Sequence, residues 1–194
     1  MTARLRLREI ADIRSGYLTR TGVEPKGAGS HYLLQIRDFN PQRTVVHKEN
    51  LVRFTPEPLA SVQPMHDGDI VFLAKGVNNF AYAVSGLPAP TLAASYFFVL
   101  RPHAQLLPAY LAWFLNQRST RRVLARFASS GVRMPVVRRA VLEKMEVPLP
   151  ALTVQKSIIE LDKLMVQEQD LMTELARKKR KLVSAICMKA ARGL

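Results

Sequence analysis

The chain contains neither glycine nor proline between Pro150 and Gly193. Because these two residues are the usual helix breakers, the stretch from an expected cap at Thr153 to about Ala190 is predicted to form one helix. At a rise of 1.5 Å per residue such a helix is roughly 55–60 Å long. A helix of this length exceeds what a small domain can cover, and this constrains the rest of the fold.

Apolar residues recur on the predicted helix near heptad spacing. They are Leu161, Leu164, Leu171, Leu175, Leu182 and Ile186, with Met165 and Met172 broadening the stripe. Such a stripe is typical of helices that pair with another helix, so we predict a coiled-coil dimerisation helix. Glu168 and the Lys178-Lys179 pair interrupt the stripe. Packing of the whole helix on its own domain is the alternative.

The charge of the chain indicates its class of partner. Lys and Arg number 29 against 15 Asp and Glu, a formal net charge of +14 over 194 residues. A surface this basic attracts polyanions, nucleic acid first and an anionic membrane second. Cys187 is the sole cysteine, so neither a disulfide framework nor a cysteine-based zinc cluster is expected.

The short length of the apolar segments predicts a soluble, cytoplasmic protein without a membrane partner. The first eight residues contain no apolar signal core. The longest apolar stretches, Leu92 to Leu100 and Leu106 to Leu115, are too short to span a bilayer.

The first 150 residues predict one α+β domain. Strands are expected at Tyr32 to Ile36, Ile70 to Ala74 and Tyr96 to Leu100, where apolar, β-branched and aromatic residues cluster between turn signals. From Pro108 the apolar period changes to that of helices. We therefore predict a domain over residues 1–150 and the long helix over 151–194.

Helices are predicted in the second part of this domain. One begins at Pro108, and a second is expected to turn Val123, Leu124 and Phe127 towards the core. A short helix around residues 141–145 precedes an extended, proline-flanked connector that leads into the long helix.

Six segments resemble, in order, the specificity subunits of type I restriction–modification systems. The segments are Leu7 to Gly16, Gln35 to Phe39, Asp67 to Phe72, Ala94 to Pro102, Tyr110-Leu111 and Glu146 to Gln155. The last of these, with Pro148, Pro150 and Gln155, is the most specific, because it resembles the start of the spacer helix in that family. The resemblance covers one half-unit of a full-size member, which has two target-recognition domains and two antiparallel helices.

The resemblance implies a mixed-sheet target-recognition domain that reads double-stranded DNA without catalysing a reaction. It implies DNA methyltransferase subunits as partners and, through them, a restriction subunit. The chain then needs no cofactor of its own, and S-adenosylmethionine is expected on the methyltransferase. A half-unit implies a homodimer with paired antiparallel helices that recognises a bipartite, split palindromic site. One half of a divided heteromeric subunit is the other possibility.

The segment Lys75 to Asn79 is the first candidate DNA contact. It follows a predicted buried strand, Gly76 allows close backbone approach, and Asn78 and Asn79 have the amide groups that read adenine edges. An ordinary Asn-Asn turn explains the same residues equally well.

Arginines supply the other candidate DNA contacts. Arg133 lies in a Ser-Ser-Gly segment, and Arg138 and Arg139 begin the helix that follows. Arg118, Arg121, Arg122 and Arg126 form a basic helical patch suited to phosphates, or else a solvated helix face. Lys26, His31 and Arg37, near a glycine-rich loop, complete the set.

Catalytic motifs are not recognised in the sequence. A methyltransferase of this kind needs an Asn-Pro-Pro-aromatic segment, of which Asn40-Pro41 has only the beginning, and a nuclease needs a carboxylate two residues before a lysine, where Lys75 has Leu73. No metal site is expected from the four scattered histidines. Two alternatives remain: a generic basic nucleic-acid module that dimerises by its helix, and a small nuclease with an unrecognised site.

Overall fold

The computed structural model describes residues 3–19, 29–57, 63–76, 78–127 and 135–193. By contact density the chain divides into two compact units, residues 1–155 and 156–194. Within the described ranges the first unit contains the sheets and four short α-helices, and the second consists of the remainder of one long helix that begins at Leu152. The predicted α+β class with mixed sheets and one long C-terminal helix is confirmed.

The first and last strands of the first unit pair with each other. Strand β1 (Ala3–Arg6) runs antiparallel to β9 (Glu146–Leu149), with Leu5 opposite Val147. The one-turn helix α1 (Leu7–Ile10) follows β1, and the Leu7 N–H donates to the carbonyl of Met145 at 2.8 Å. Because the two ends of the unit are hydrogen-bonded together, the domain closes immediately before the long helix begins.

A four-stranded antiparallel sheet forms the centre of this unit. Its strands are β2 (Ala11–Ser15), β8 (Phe97–Pro102), β5 (Ile70–Leu73) and β6 (Ala81–Ala83), in that spatial order. All four residues of β5 are buried, as expected for a continuous apolar run covered on both faces. The predicted strands at 70–74 and 96–100 are therefore confirmed within a residue or two.

A three-stranded sheet lies beside it, in the order β4 (Val52–Phe54), β3 (His31–Leu34) and β7 (Thr91–Ala93). Strand β3 runs antiparallel to β4 and parallel to β7. Phe39, which follows a 3-10 helix at Ile36–Asp38, packs its ring against Phe80 at 5.0 Å between centroids, edge to face. This aromatic contact lies in the apolar core that both sheets share.

Gly16 lies where the end of β2 meets the end of β7. Its N–H donates to the Phe97 carbonyl at 2.9 Å, and the next N–H, of Tyr17, donates to the Ala93 carbonyl at 2.7 Å. A Cβ at position 16 would overlap the Ala94 carbonyl oxygen and lie 2.8 Å from the oxygen of Ala93. The Ser15-Gly16 turn therefore requires glycine because two backbones approach closely here.

Asp69 is a buried carboxylate that joins three segments of the domain. Arg101 on β8 donates from Nε to Oδ1 at 2.7 Å and from Nη2 to Oδ2 at 2.8 Å. Arg14 on β2 donates to Oδ2 at 3.2 Å, and the His66 N–H to the same oxygen at 3.0 Å. Burial by itself raises the pKa of Asp69, but the hydrogen bonds and positive charges outweigh it, so the pKa lies below its ordinary value.

Three helices follow the sheets in sequence: α2 (Pro108–Asn116), α3 (Arg118–Phe127) and α4 (Arg139–Glu143). Pro108 occupies the first turn of α2, as predicted. Asn116 at the end of α2 exchanges two hydrogen bonds with the backbone of Ala81, at 2.9 and 2.8 Å, which fixes α2 against β6.

The long helix α5 extends over Leu152–Ala191, 40 residues. Gln155, in its first turn, is fully buried within the first unit. Its Oε1 accepts from the Leu107 N–H at 2.9 Å, and its Nε2 donates to the carbonyls of Gln105 and Pro150 at 3.0 and 2.9 Å. All three contacts need both ends of a primary amide, which accounts for glutamine at this position of the motif.

We expect Asp69→Asn to lower the free energy of unfolding at pH 7 by about 2–3 kcal/mol, because both arginines lose their charged partner. Since the folded pKa of Asp69 is depressed, its contribution is present above the unfolded value of about 4 and is lost as pH falls through the folded value. The difference between the two proteins should therefore shrink below about pH 4. Urea unfolding at a series of pH values measures it.

Asp162→Asn, a carboxylate on α5 that belongs to the other unit, is the control for this substitution. Its unfolding free energy should follow that of the unsubstituted chain at each pH. Equal stability of Asp69→Asn and the unsubstituted chain at pH 7 would contradict a structural role for the ion pairs.

Candidate nucleic-acid interface

Two segments that are sixty residues apart in sequence pair at the end of β5. The Gly76 N–H donates to the Pro135 carbonyl, and the Val137 N–H donates to the Ala74 carbonyl, both at 2.8 Å. Lys75 thus lies opposite Val136 in an antiparallel bridge. The pairing brings the predicted loop after β5 beside the start of α4, where the predicted Arg138 and Arg139 are.

Gly76 has a φ of +108°, and a Cβ added to it would meet nothing within 4 Å. No described protein atom fills the space beside this glycine, so the predicted close approach of DNA to the backbone stays a prediction. The left-handed backbone by itself also explains the glycine, because L-residues with a side chain rarely adopt it. The chain direction changes at this point, so that Lys75 and Asn78 are both exposed.

The two neighbouring asparagines have different surroundings. Asn78 is exposed, whereas Asn79 is buried, with 8% of its surface accessible. The Asn79 Nδ2 donates to the Leu73 carbonyl at 2.8 Å, so this amide is used within the fold. A contact between the Asn79 side chain and a base edge is inconsistent with this burial, and of the pair only Asn78 presents its amide to solvent.

Arg121 is also engaged within the domain. Its guanidinium donates from Nε at 2.7 Å and from Nη2 to the carbonyl oxygen of Asn79. The arginine therefore positions the loop after β5. Arg118, Arg122 and Arg126 are exposed on α3 and recur every four residues, so they share one helical face. This face, rather than the whole predicted patch, is open to a polyanion.

The inward face of α3 is narrower than predicted. Leu124 is fully buried, but Val123 and Phe127 are 47% and 60% exposed, so the prediction that these two face the core is wrong. Thr120 and Leu124 alone of this helix are buried. Val123 and Phe127 instead line a groove of about 760 Å³, together with Val141 of α4 and Pro148 of β9.

Arg138 and Arg139 are exposed at the start of α4. Arg139 donates from Nε to Glu143 at 2.7 Å, one helical turn away, and is thereby held along its own helix. Arg138 precedes the first turn of α4 and follows the residue that pairs with Ala74. It is therefore the arginine that the backbone pairing brings beside the Lys75 to Asn78 segment.

The remaining predicted contacts fall into two groups. Lys26 and Arg133 lie outside the described residues. Arg37 is exposed on the 3-10 helix, whereas His31 is buried at the start of β3, with Nδ1 2.9 Å from the Ser30 hydroxyl. Burial makes His31 part of the three-stranded sheet and removes it from the accessible candidates.

Acidic and metal-ligating side chains do not gather within the described ranges. No group of three His, Cys, Asp or Glu residues there has the spacing of a metal site. Asp69 forms ion pairs with two arginines, and Asp38 accepts a hydrogen bond from the Gln35 N–H at 2.6 Å. Burial raises the pKa of Asp38, and the Gln35 hydrogen bond opposes this effect. Among the same residues, no helix is both long and apolar enough to cross a membrane.

Comparison with solved structures places this arrangement among known folds. No protein-family model and no curated protein matches the sequence. The HsdS subunit from Thermoanaerobacter tengcongensis superposes on 87% of the chain with a TM-score of 0.56 and 18% identity. The S subunit of a type I restriction-modification system from M. genitalium does so on 97%, with a TM-score of 0.57 and 13% identity.

A third chain, from a study of complex assembly and conformational transition in a type I R-M system, covers 93% with a TM-score of 0.60 and 18% identity. The chain has the fold of a type I S subunit. It spans between 38% and 45% of the length of these three S-subunit-like chains. The resemblance inferred from six short segments is thus confirmed by the S-subunit fold.

The two asparagines give a matched pair of substitutions in this S-subunit fold. Asn79→Ala should lower the free energy of unfolding by about 1–3 kcal/mol, because the Leu73 carbonyl loses its buried donor. Asn78→Ala should change it by no more than about 0.5 kcal/mol, because the side chain is exposed. Urea unfolding followed by circular dichroism measures both, and equal losses would contradict the assignment.

Proposed function

We propose that the chain is the non-catalytic DNA-recognition subunit of a type I restriction–modification complex. It directs methyltransferase subunits, and through them a restriction subunit, to a bipartite DNA site. The observation that carries the proposal is the backbone pairing of Ala74 and Gly76 with Pro135 and Val137. In a domain with the S-subunit fold, this pairing places the segment of the exposed Lys75 and Asn78 beside the segment that contains Arg138.

These side chains have the chemistry of direct readout. An asparagine amide matches the donor and acceptor of adenine in the major groove, and lysine or arginine matches the two acceptors of guanine. The face of Arg118, Arg122 and Arg126 suits phosphates, whose contacts position a protein on DNA without specifying sequence. The net charge of +14 supports the same partner.

Catalysis in this proposal belongs to the partner. The methyltransferase subunit would bind S-adenosylmethionine and flip out the base that it modifies, while this chain holds the duplex. The carboxylate of Asp69 supports this division, because its ion pairs with Arg14 and Arg101 give it a structural role within the domain.

The partner of α5 is proposed to be a second copy of the chain. The residues of the predicted stripe are all exposed, from 48% at Leu175 to 69% at Met165. An isolated helix gains no stability from an uncovered apolar stripe, whereas two such helices bury their stripes against each other. A two-fold dimer then offers two identical readers, which matches a split palindromic site.

Footprinting and competition test the proposed function. With the cognate methyltransferase present, the chain should protect two half-sites and bind that DNA at least about a thousandfold more tightly than random DNA. Equal affinity for all sequences would favour a generic basic module. Metal-dependent cleavage by the chain alone would favour a nuclease.

Substitutions separate reading from positioning. Replacing Arg118, Arg122 and Arg126 together by Ala should weaken binding to all sequences and reduce the slope of log K against log salt by about 1 per residue. Asn78→Ala should instead lower the preference for the specific site, with a nearly unchanged slope. Fluorescence anisotropy at several salt concentrations measures both, and Val45→Ala, on an exposed loop elsewhere, is the control.

Two acidic substitutions on α5 test the homodimer. Leu175→Glu should give a monomer in sedimentation equilibrium, because it places a charge in the apolar seam of both copies. Val166→Glu is the matched control, since Val166 is similarly exposed, at 44% against 48%, but lies on the opposite side of the helix. A monomeric unsubstituted chain at working concentration would contradict the dimer.

A further inference from the structure

Between Leu161 and Ile186 the seam of α5 is a regular heptad that contains two charged residues. Its a positions are Met165, Met172, Lys179 and Ile186, and its d positions are Leu161, Glu168, Leu175 and Leu182. Glu168 and Lys179 are exposed, and neither forms an ion pair among the described residues of α5, whereas the neighbouring Lys178 binds Glu174 at 2.9 Å. In a paired helix both charges would lie in the apolar seam.

The direction of pairing follows first from the charge along the helix. Residues 156–174 contain five acidic and two basic side chains, whereas residues 175–193 contain seven basic and no acidic ones. Parallel copies would place the basic halves side by side and bring Glu168 against Glu168 and Lys179 against Lys179. Antiparallel copies place the acidic half of one helix beside the basic half of the other.

The register follows from the two charges in the seam. When the two-fold axis passes between Thr173 and Glu174, every a residue faces a d residue of the second copy. The layers are then Leu161 with Ile186, Met165 with Leu182, Glu168 with Lys179, and Met172 with Leu175, each occurring twice. Between Leu161 and Ile186 all apolar seam residues meet apolar ones, and the two charges meet each other. Outside this span Ile158 faces Lys189, near the end of the helix.

A shift by one heptad in either direction removes this match. One shift places Glu168 against Met172 and Lys179 against Leu161. The other places Glu168 against Ile186 and Lys179 against Leu175. Both leave charges desolvated without a partner, which costs more than a buried ion pair gains. The pair therefore selects a register rather than adding much stability, as single polar residues do in other coiled coils.

We infer that a second copy of this chain binds α5 antiparallel, in the single register in which Glu168 of each copy pairs with Lys179 of the other. The inference rests on the proposed homodimer, whose antiparallel helices the family resemblance already implies, and adds its register. It explains why the seam from Leu161 to Ile186, which is otherwise apolar, contains two charges of opposite sign, placed symmetrically about its midpoint.

A charge-reversal cycle tests the pair. Glu168→Lys or Lys179→Glu alone should raise the dimer dissociation constant about a hundredfold or more, because two like-charge layers form in each dimer. The double substitution should return it to within about tenfold of the original. Asp170→Lys, the same charge reversal on the far side of the helix, is the control. A double variant as weak as the single ones would overturn the inference.

The native Cys187 gives an independent measurement, since it is exposed and lies outside the seam. Nitroxide labels on the two copies should be separated by about 40 Å, because each lies level with Glu160 of the other copy, 27 residues away along the axis. A shift by one heptad changes this by about 10 Å, and parallel helices give less than about 20 Å. Either result would overturn the register and leave the dimer standing, whereas a monomer would overturn both.

Discussion

The position of the candidate interface depends on the carboxylate of Asp69. It stands at the start of β5 and accepts hydrogen bonds from Arg101 on the adjacent strand and Arg14 on the strand beyond. Strand β5 leads directly into the segment Ala74 to Asn78, so the same ion pairs that align the sheet also fix where that segment leaves it. The position of the candidate interface is therefore set by a charge network at the opposite end of a four-residue strand.

Gln155 gives a physical reason for the motif that leads into the long helix. Proline at 148 and 150 keeps the backbone extended up to the helix, and the buried amide then joins the first turn of α5 to the loop before α2. A carboxylate could accept only one of these three hydrogen bonds, and an apolar side chain could form none of them. The five-residue spacing from Pro150 to Gln155 lets this one amide reach both the backbone of Pro150 and the backbone of the loop before α2.

The sequence predicted those features that local chemistry decides. The buried strand at 70–74, the proline at the start of α2 and the uninterrupted helix after Pro150 each follow from residue types within a few positions. The different roles of Asn78 and Asn79 could not be predicted, because they depend on the Leu73 carbonyl and on Arg121, 42 residues away. Likewise Val123 and Phe127 carry an ordinary core pattern, and they are exposed because α3 packs on α2 and α4 with only the narrow face of Thr120 and Leu124 buried.

The charged layer of α5 also bears on how such chains choose partners. In the inferred register, a chain with lysine at 168 and glutamate at 179 would pair well with itself. A mixed dimer of that chain with this one would bury Glu against Glu in one layer and Lys against Lys in another. In that register two positions disfavour the mixed dimer, so that each proposed dimer contains two identical recognition domains.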